Sequence, residues 1–68
     1  MNYNDGRMTI REKIVSLMID GDARGIREVA DTINENYKSV SVELSKMCAE
    51  GLLARPSLGI YQKNFASV

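Results

Sequence analysis

The stretch that decides the fold runs from Ile26 to Leu53 and reads IREVADTI, NEN, YKSVSVELSKM and CAEGLL. Two sets of apolar residues recur in it at spacings of three and four. The sets are Ile26, Val29, Ala30 and Ile33, and then Val40, Leu44, Met47, Cys48 and Gly51. Residues with this spacing share one face of a helix. The sequence therefore predicts two consecutive amphipathic helices, from about Ile26 to Ile33 and from about Tyr37 to Glu50.

Asn34-Glu35-Asn36 separates the two predicted helices. Asparagine tolerates the left-handed backbone conformation that a tight helix exit needs. Asn36 is also a residue type that caps the start of a helix well. The three residues therefore predict a short turn that ends one helix and begins the next.

Before this stretch, Thr9 and Glu12 have the spacing of a capping box, which predicts the start of a first helix. Asp20-Gly21-Asp22 predicts its end, because glycine readily adopts the left-handed exit conformation. Its predicted inward stripe consists of Ile10, Ile14, Leu17 and Met18, widened by Val15. Residues 1–8 are polar and predict a loose arm. A frayed terminus is the favoured interpretation, and contact of Tyr3 and Arg7 with DNA or a partner subunit is the alternative.

After Gly51, Leu52-Leu53-Ala54 predicts a strand and Ile60–Lys63 a returning strand, with a turn over Pro56–Gly59 between them. Residues 64–68 are read as a short tail, in which Phe65 could fold back onto the core. Three helices followed by a small antiparallel hairpin give an α+β fold. The predicted domain covers residues 9–63.

The 68 residues are enough for one small domain, and an apolar content of 44% supports a single core. Nine basic and nine acidic residues give zero net charge, which argues against non-specific coating of nucleic acid through a large positive field. The charges are unevenly distributed, however. Residues 1–35 carry five basic and seven acidic residues, whereas residues 36–68 carry four basic and two acidic residues.

Cys48 is the single cysteine and histidine is absent, so the chain offers neither an internal disulfide nor the ligands of a structural zinc site. Cys48 lies on the core-facing side of its helix, where a free cysteine is expected to pack as a small apolar residue, with redox sensing as the alternative. Without a histidine base or a phosphate-binding loop motif, the sequence predicts no enzyme and no cofactor. No apolar run is long enough to span a bilayer and no leader is recognisable, so a cytoplasmic location is expected.

From Val40 to Leu53 the sequence has the pattern V-S-x-x-L-x-x-M-x-x-x-G-L-L. This pattern resembles the second helix of the helix-turn-helix motif in a winged helix-turn-helix domain, which corresponds to the third helix of this chain. The resemblance covers roughly Thr9 to Lys63. In architecture the chain looks like the DNA-binding cores of multiple-antibiotic-resistance-type and arsenical-repressor-type regulators. In size it is similar to small fimbrial-operon, phage and plasmid regulators. The resemblance implies that Ala23-Arg24-Gly25 contributes a short strand that pairs with the hairpin, which this family calls the wing.

The resemblance implies a small transcriptional regulator that binds double-stranded DNA, with the third helix in the major groove. The side of this helix opposite the core carries Lys38, Val42, Ser45 and Lys46. Lysines suit phosphates or guanine, and valine suits a thymine methyl group. The further candidate DNA contacts are Asn36, Tyr37 and Ser39 at the helix start, Arg27 on the preceding helix, and Arg55 and Lys63 on the wing. The alternative for this helix face is a solvated surface with one stray valine.

Other functions remain open at this stage. The same fold could bind a partner protein, which the zero net charge and the predicted exposure of Val42 and Leu58 favour. A left-handed-DNA binder of the Z-alpha type has a similar architecture, but the tryptophan of that family's wing is missing here. A homodimer would stabilise so small a domain, although nothing in the sequence requires one.

Overall fold

A computed structural model of the protein describes residues 8–64. In chain order it contains α1 (Ile10–Met18), β1 (Arg24–Gly25), α2 (Ile26–Ile33), α3 (Tyr37–Ala49), β2 (Leu53–Ser57) and β3 (Ile60–Lys63). The strands form one antiparallel sheet in the order β1-β3-β2. The predicted α+β class is confirmed, and the layout is compatible with a winged helix-turn-helix arrangement. The roles predicted for Tyr3, Arg7 and Phe65 lie outside the described residues.

Local hydrogen bonds at the helix ends explain why the helix boundaries were predictable. At the start of α1, the Glu12 amide donates to the Thr9 side chain at 3.1 Å, and the Thr9 amide donates to Glu12 Oε1 at 2.8 Å. This is the predicted capping box. Asn34 ends α2 in the left-handed conformation at φ 57°. Asn36 then caps α3, accepting from the amides of Lys38 at 2.9 Å and Ser39 at 3.3 Å.

The carboxyl end of α3 is closed by backbone bonds that turn the chain into the hairpin. Gly51 adopts φ 85°, a conformation that glycine accepts without the steric cost of a Cβ. The Leu52 amide reaches back to the Met47 carbonyl at 2.9 Å. Bonds of this kind satisfy carbonyls that the last helical turn leaves without partners. The helix therefore ends at Ala49, one residue before the predicted end.

The short strand expected before α2 is present. Arg24 pairs with Tyr61 and Gly25 pairs with Ile60 in antiparallel register. The pairing joins the segment between α1 and α2 to β3, which is the central strand of the sheet. The hairpin is therefore fixed to the helices along one edge.

The prediction of a turn over Pro56–Gly59 was wrong in its bounds. β2 continues through Pro56 to Ser57, so that only Leu58 and Gly59 form the connection to β3. β2 lies at the edge of the sheet, where a residue without an N–H need not remove a ladder hydrogen bond. The register shifts between Ala54 and Ser57, on either side of Pro56, and this irregularity accommodates the proline. The hairpin consequently reaches further from the core than the sequence suggested.

The core lies between the three helices and the base of the sheet. Its buried apolar residues are Ile14, Leu17, Met18, Val29, Ala30, Ile33, Val40, Leu44, Met47, Leu53 and Tyr61, with Ile10, Ile26 and Cys48 packed against them. This set contains the predicted inward residues of all three helices except Val15 and Gly51, the second of which lies beyond the end of α3. The prediction for Val15 was wrong, since its side chain is 49% exposed. None of the helices within residues 8–64 combines the length and apolar character needed to cross a membrane.

Candidate functional site

The side of α3 that faces away from the core carries four exposed side chains at helical spacing. They are Lys38, Val42, Ser45 and Lys46, which we call the outward face. Lys38 and Lys46 are about 12 Å apart along the helix axis, at 1.5 Å per residue. Val42 lies between them and is 55% exposed. The outward face therefore combines two cations with one apolar side chain, as predicted.

The acidic residues of α3 and its C-terminal cap are held by a single arginine of α1. The Arg11 Nε donates to Glu43 Oε2 at 2.7 Å. The two Nη atoms of Arg11 donate to the two carboxylate oxygens of Glu50 at 2.6 and 3.0 Å. These hydrogen bonds from Arg11 lower the pKa of Glu50 below its ordinary value. One guanidinium of α1 therefore holds both carboxylates, and the charged residues of the outward face are its two lysines.

Arg27, near the start of α2, contacts Tyr37, the first residue of α3. The Arg27 guanidinium lies 4.9 Å from the centre of the Tyr37 ring, within cation–π distance. Both residues are exposed, Tyr37 to 42%. The contact holds a cation beside the capped start of α3, where Asn36 and Ser39 are also exposed. Five of the predicted contact residues are thus gathered at one end of the helix, with Lys38 among them.

The hairpin presents a different mixture of side chains. Arg55 is exposed on β2, and Leu58 at the tip is 91% exposed. Lys63 on β3 is half-buried. Of the predicted contact residues, Arg55 is exposed on the hairpin, whereas Lys63 belongs to its base.

Lys63 also borders an apolar groove between the end of α1 and the base of the hairpin. The groove has a volume of about 200 Å³ and is lined by Val15, Met18, Ile19, Met47, Leu52, Leu53 and Lys63. Ile19 is 70% exposed and Leu52 is 43% exposed. The groove shares no lining residue with the outward face. The molecule therefore has a second surface that is mainly apolar, whereas the outward face of α3 carries two cations.

Cys48 lies at neither of these surfaces. It is half-buried, and it packs against the core as the predicted apolar side chain would. The packing interpretation of this residue is therefore favoured over redox sensing, because a reactive thiol needs a more exposed and electropositive setting.

The structure adds an ion pair that the sequence did not suggest, between α1 and the turn that precedes α3. Lys13 is only 6% exposed, and its Nζ donates to Glu35 Oε2 at 2.5 Å. A usable signal was present, because Lys13 lies three residues after Ile10 and four before Leu17. Both of these residues were placed on the inward stripe. A lysine in such a position needs a buried partner.

Arg24 is not among the predicted DNA contacts, and its hydrogen bonds give it a structural role. Its guanidinium donates to both carboxylate oxygens of Asp20, at 2.9 and 2.8 Å. These bonds lower the pKa of Asp20 below its ordinary value. Arg24 therefore ties the end of α1 to β1.

Within residues 8–64, no group of three or more histidine, cysteine, aspartate or glutamate side chains is arranged to hold a metal ion. Comparison of the chain with protein-family models, with curated proteins and with solved structures gave no match.

Proposed function

We propose that the protein is a small, non-enzymatic transcriptional regulator that binds double-stranded DNA in the cytoplasm. In this proposal α3 enters the major groove, and the hairpin of β2 and β3 lies on the backbone or in the minor groove. The observation that carries the proposal is the pairing of Glu43 and Glu50 with Arg11. A single guanidinium holds both carboxylates next to α1, and the charged side chains exposed on the outward face are Lys38 and Lys46.

The contacts follow from the order of residues along α3. In a recognition helix, the N-terminal residues lie nearest the base edges. Lys38 is at this end and is suited to guanine O6 and N7 or to a phosphate. Val42 follows one turn later, where an exposed apolar group can contact a thymine methyl. Lys46 lies a further turn along and is suited to the phosphate backbone.

Groups around the start of α3 would fix the register on the duplex. Because the Asn36 side chain already accepts from two amides at this end, the exposed hydroxyls of Tyr37 and Ser39 would contact the phosphate oxygens. Arg27, held against Tyr37, adds a cation to this end. Phosphate contacts of this kind position a protein on DNA, and base contacts then read the sequence.

Replacement of both Lys38 and Lys46 by alanine tests the proposal. Because both side chains are exposed, the fold should survive, with stability changed by no more than about 0.5 kcal/mol. Duplex binding should weaken, and the slope of log affinity against log salt should shrink by about 1.8, or about 0.9 for each phosphate that the protein no longer neutralises. The measurement is fluorescence anisotropy on selected duplexes across a salt series.

The matched control replaces the same two residues by arginine, which keeps the charge and should keep the salt slope. If wild type shows no salt-dependent duplex binding, the proposal fails. If the folded alanine double variant binds as tightly as wild type, the DNA surface lies elsewhere. Val42→Ala adds a second readout, because a thymine-methyl contact makes its effect depend on the sequence of the site.

A protein-interaction module is the second candidate function. It is favoured by the exposed apolar side chains, above all Leu58 at 91% and Ile19 at 70%. A monomeric protein rarely exposes a contiguous apolar patch without a use for it. This candidate predicts a stoichiometric protein complex that tolerates salt and is weakened by Leu58→Ser or Ile19→Ser, whereas DNA binding weakens steeply with salt.

A further inference from the structure

We infer that the ion pair between buried Lys13 and partly buried Glu35 is a positioning device for α3. It fixes the angle at which α3 leaves the turn, and thereby sets duplex affinity, although Lys13 is buried beneath the surface and touches no ligand. The inference rests on the proposed DNA binding and deepens it. The two residues are 22 positions apart and belong to different elements, α1 and the turn between α2 and α3.

Lys13 is held in place because little of its side chain reaches water. Among residues 8–64, Lys13 is the one charged residue that is buried, at 6% exposure. A buried ammonium group is strongly disfavoured unless an opposite charge accepts its hydrogen bond. Glu35 Oε2 supplies that acceptor. The Lys13 side chain consequently fixes the place of the Glu35 carboxylate relative to α1.

Glu35 transmits this position to α3 because its backbone is already constrained. Its amide donates to the Ala30 carbonyl at 3.0 Å, which ties it to the end of α2. Asn34 before it is locked in the left-handed conformation, and Asn36 after it is the N-cap of α3. The turn is therefore attached to α2 through its backbone and to α1 through the Glu35 side chain. Its next residue begins α3.

Arg11 provides a second attachment of α3 to the same helix. It holds Glu43 in the middle of α3 and Glu50 just beyond its end. From Asn36 to Glu50 the helix runs about 21 Å, at 1.5 Å per residue. The helix α1 therefore holds α3 near both ends, through Lys13 at the turn and through Arg11 further along. Two separated attachments to α1, added to the core packing of Val40, Leu44 and Met47, fix the tilt of α3 more closely than the packing and one attachment would.

For Glu35→Gln, a positioning role and simple electrostatics predict opposite changes in duplex affinity. Glu35 lies next to the end of α3 that the proposal brings nearest to DNA. Loss of a negative charge there should raise duplex affinity if charge alone matters. If Glu35 positions α3, the same change should lower affinity at least about fivefold, the loss expected when one good base contact is misplaced. Asp31→Asn is the matched control, because it removes an exposed carboxylate of neighbouring α2 and should raise affinity slightly.

Lys13→Met tests the other side of the pair and keeps a side chain of similar length and shape in the buried site. Affinity for the best site should fall by a similar factor, with weaker discrimination between that site and a site altered at one base pair. The slope of log affinity against log salt should stay at the wild-type value, because Lys13 neutralises no phosphate. The Lys13→Met/Glu35→Gln double variant should lose no more than the worse single variant, since both changes break one pair.

Folding is checked for each variant by circular dichroism, and binding is measured well below the unfolding midpoint. The inference is overturned if Glu35→Gln raises duplex affinity as Asp31→Asn does, or if Lys13→Met reduces the slope of log affinity against log salt. It is also overturned if the affinity loss of the double variant equals the sum of the losses of the two single variants. Residual dipolar couplings of backbone amides decide it independently of DNA. They should report a changed tilt of α3 relative to α1 in Lys13→Met, and an unchanged tilt would also overturn the inference. If wild type binds no duplex, the proposed function fails, while the couplings still decide whether the pair positions α3.

Discussion

Leu44→Ala is the change that tests the packing of α3 most directly. Leu44 is fully buried at the centre of the core-facing side of α3, and Val40 and Met47 beside it are also buried. The substitution removes three carbon atoms and leaves the backbone of the helix unaltered. Alanine also has the higher helix propensity, so helix formation itself is not weakened.

The expected loss of stability has two parts. The transfer of about three carbon groups, at about 0.8 kcal/mol each, contributes about 2.4 kcal/mol. The cavity left behind adds to this, which brings the total to about 2.7–5 kcal/mol. A domain of this size has a total stability of roughly 3–10 kcal/mol, at 0.05–0.15 kcal/mol per residue. Leu44→Ala should therefore remove a large part of the free energy of unfolding and leave a measurable unfolded fraction at 25 °C.

Urea unfolding followed by far-ultraviolet circular dichroism measures this loss. Leu58→Ala is the matched control, since it makes the same chemical change at a side chain that is 91% exposed. The control should alter stability by no more than about 0.5 kcal/mol. Equal unfolding midpoints for the two variants would refute the helix register and the core described above.

Two further predictions concern local contacts. Asn36→Ala removes the cap of α3 and should cost about 0.5–2 kcal/mol in urea unfolding, whereas Asn36→Ser should retain most of the stability; no difference between the two would contradict the capping role. Arg11 lowers the pKa of Glu50, so the folded state binds a proton there less readily than the unfolded chain does. The pair's stabilisation should be fully present above the ordinary pKa of 4.5 and be lost as the pH falls through the lower folded-state pKa. The stability difference between wild type and Glu50→Gln should therefore be constant near neutral pH and shrink below about pH 4.5; a difference that stays constant down to pH 2 would contradict the pairing.

The helices could be predicted because their determinants lie within a few residues of one another. Thr9 and Glu12 are three residues apart, and Asn36 bonds to amides two and three residues ahead. The apolar spacing of α2 and α3 likewise repeats within a single turn. Such interactions depend on neighbouring residues, so the sequence predicted the start of each helix and most of its inward face. The end of α3 came one residue earlier than predicted, and Val15 is exposed. The exposure of Lys38, Val42, Ser45 and Lys46 follows from the same periodicity, because these residues lie opposite the core.

The hairpin was predicted less well, because the extent of a strand depends on its partner. Pro56 reads as a turn residue in isolation. At the edge of a sheet, beside a register shift, it fits within a strand, and only the position of β3 decides this. The exposure of Val15 likewise depends on tertiary packing. Its helical position is compatible with burial, but no element packs over that side of α1 within residues 8–64, so it is exposed and lines the groove.

The ion-pair partners of the charged residues in α1 could not be predicted from the sequence. Arg11 meets residues 32 and 39 positions away, and Lys13 meets a residue 22 positions away. No periodicity or cap links such distant residues, since their contact exists only after the helices have packed. The sequence by itself determined three amphipathic helices, their turns and a lysine-bearing outward face. Tertiary packing alone decided which carboxylates pair with α1, because ion pairs between distant residues form only where the fold brings their side chains within hydrogen-bonding distance.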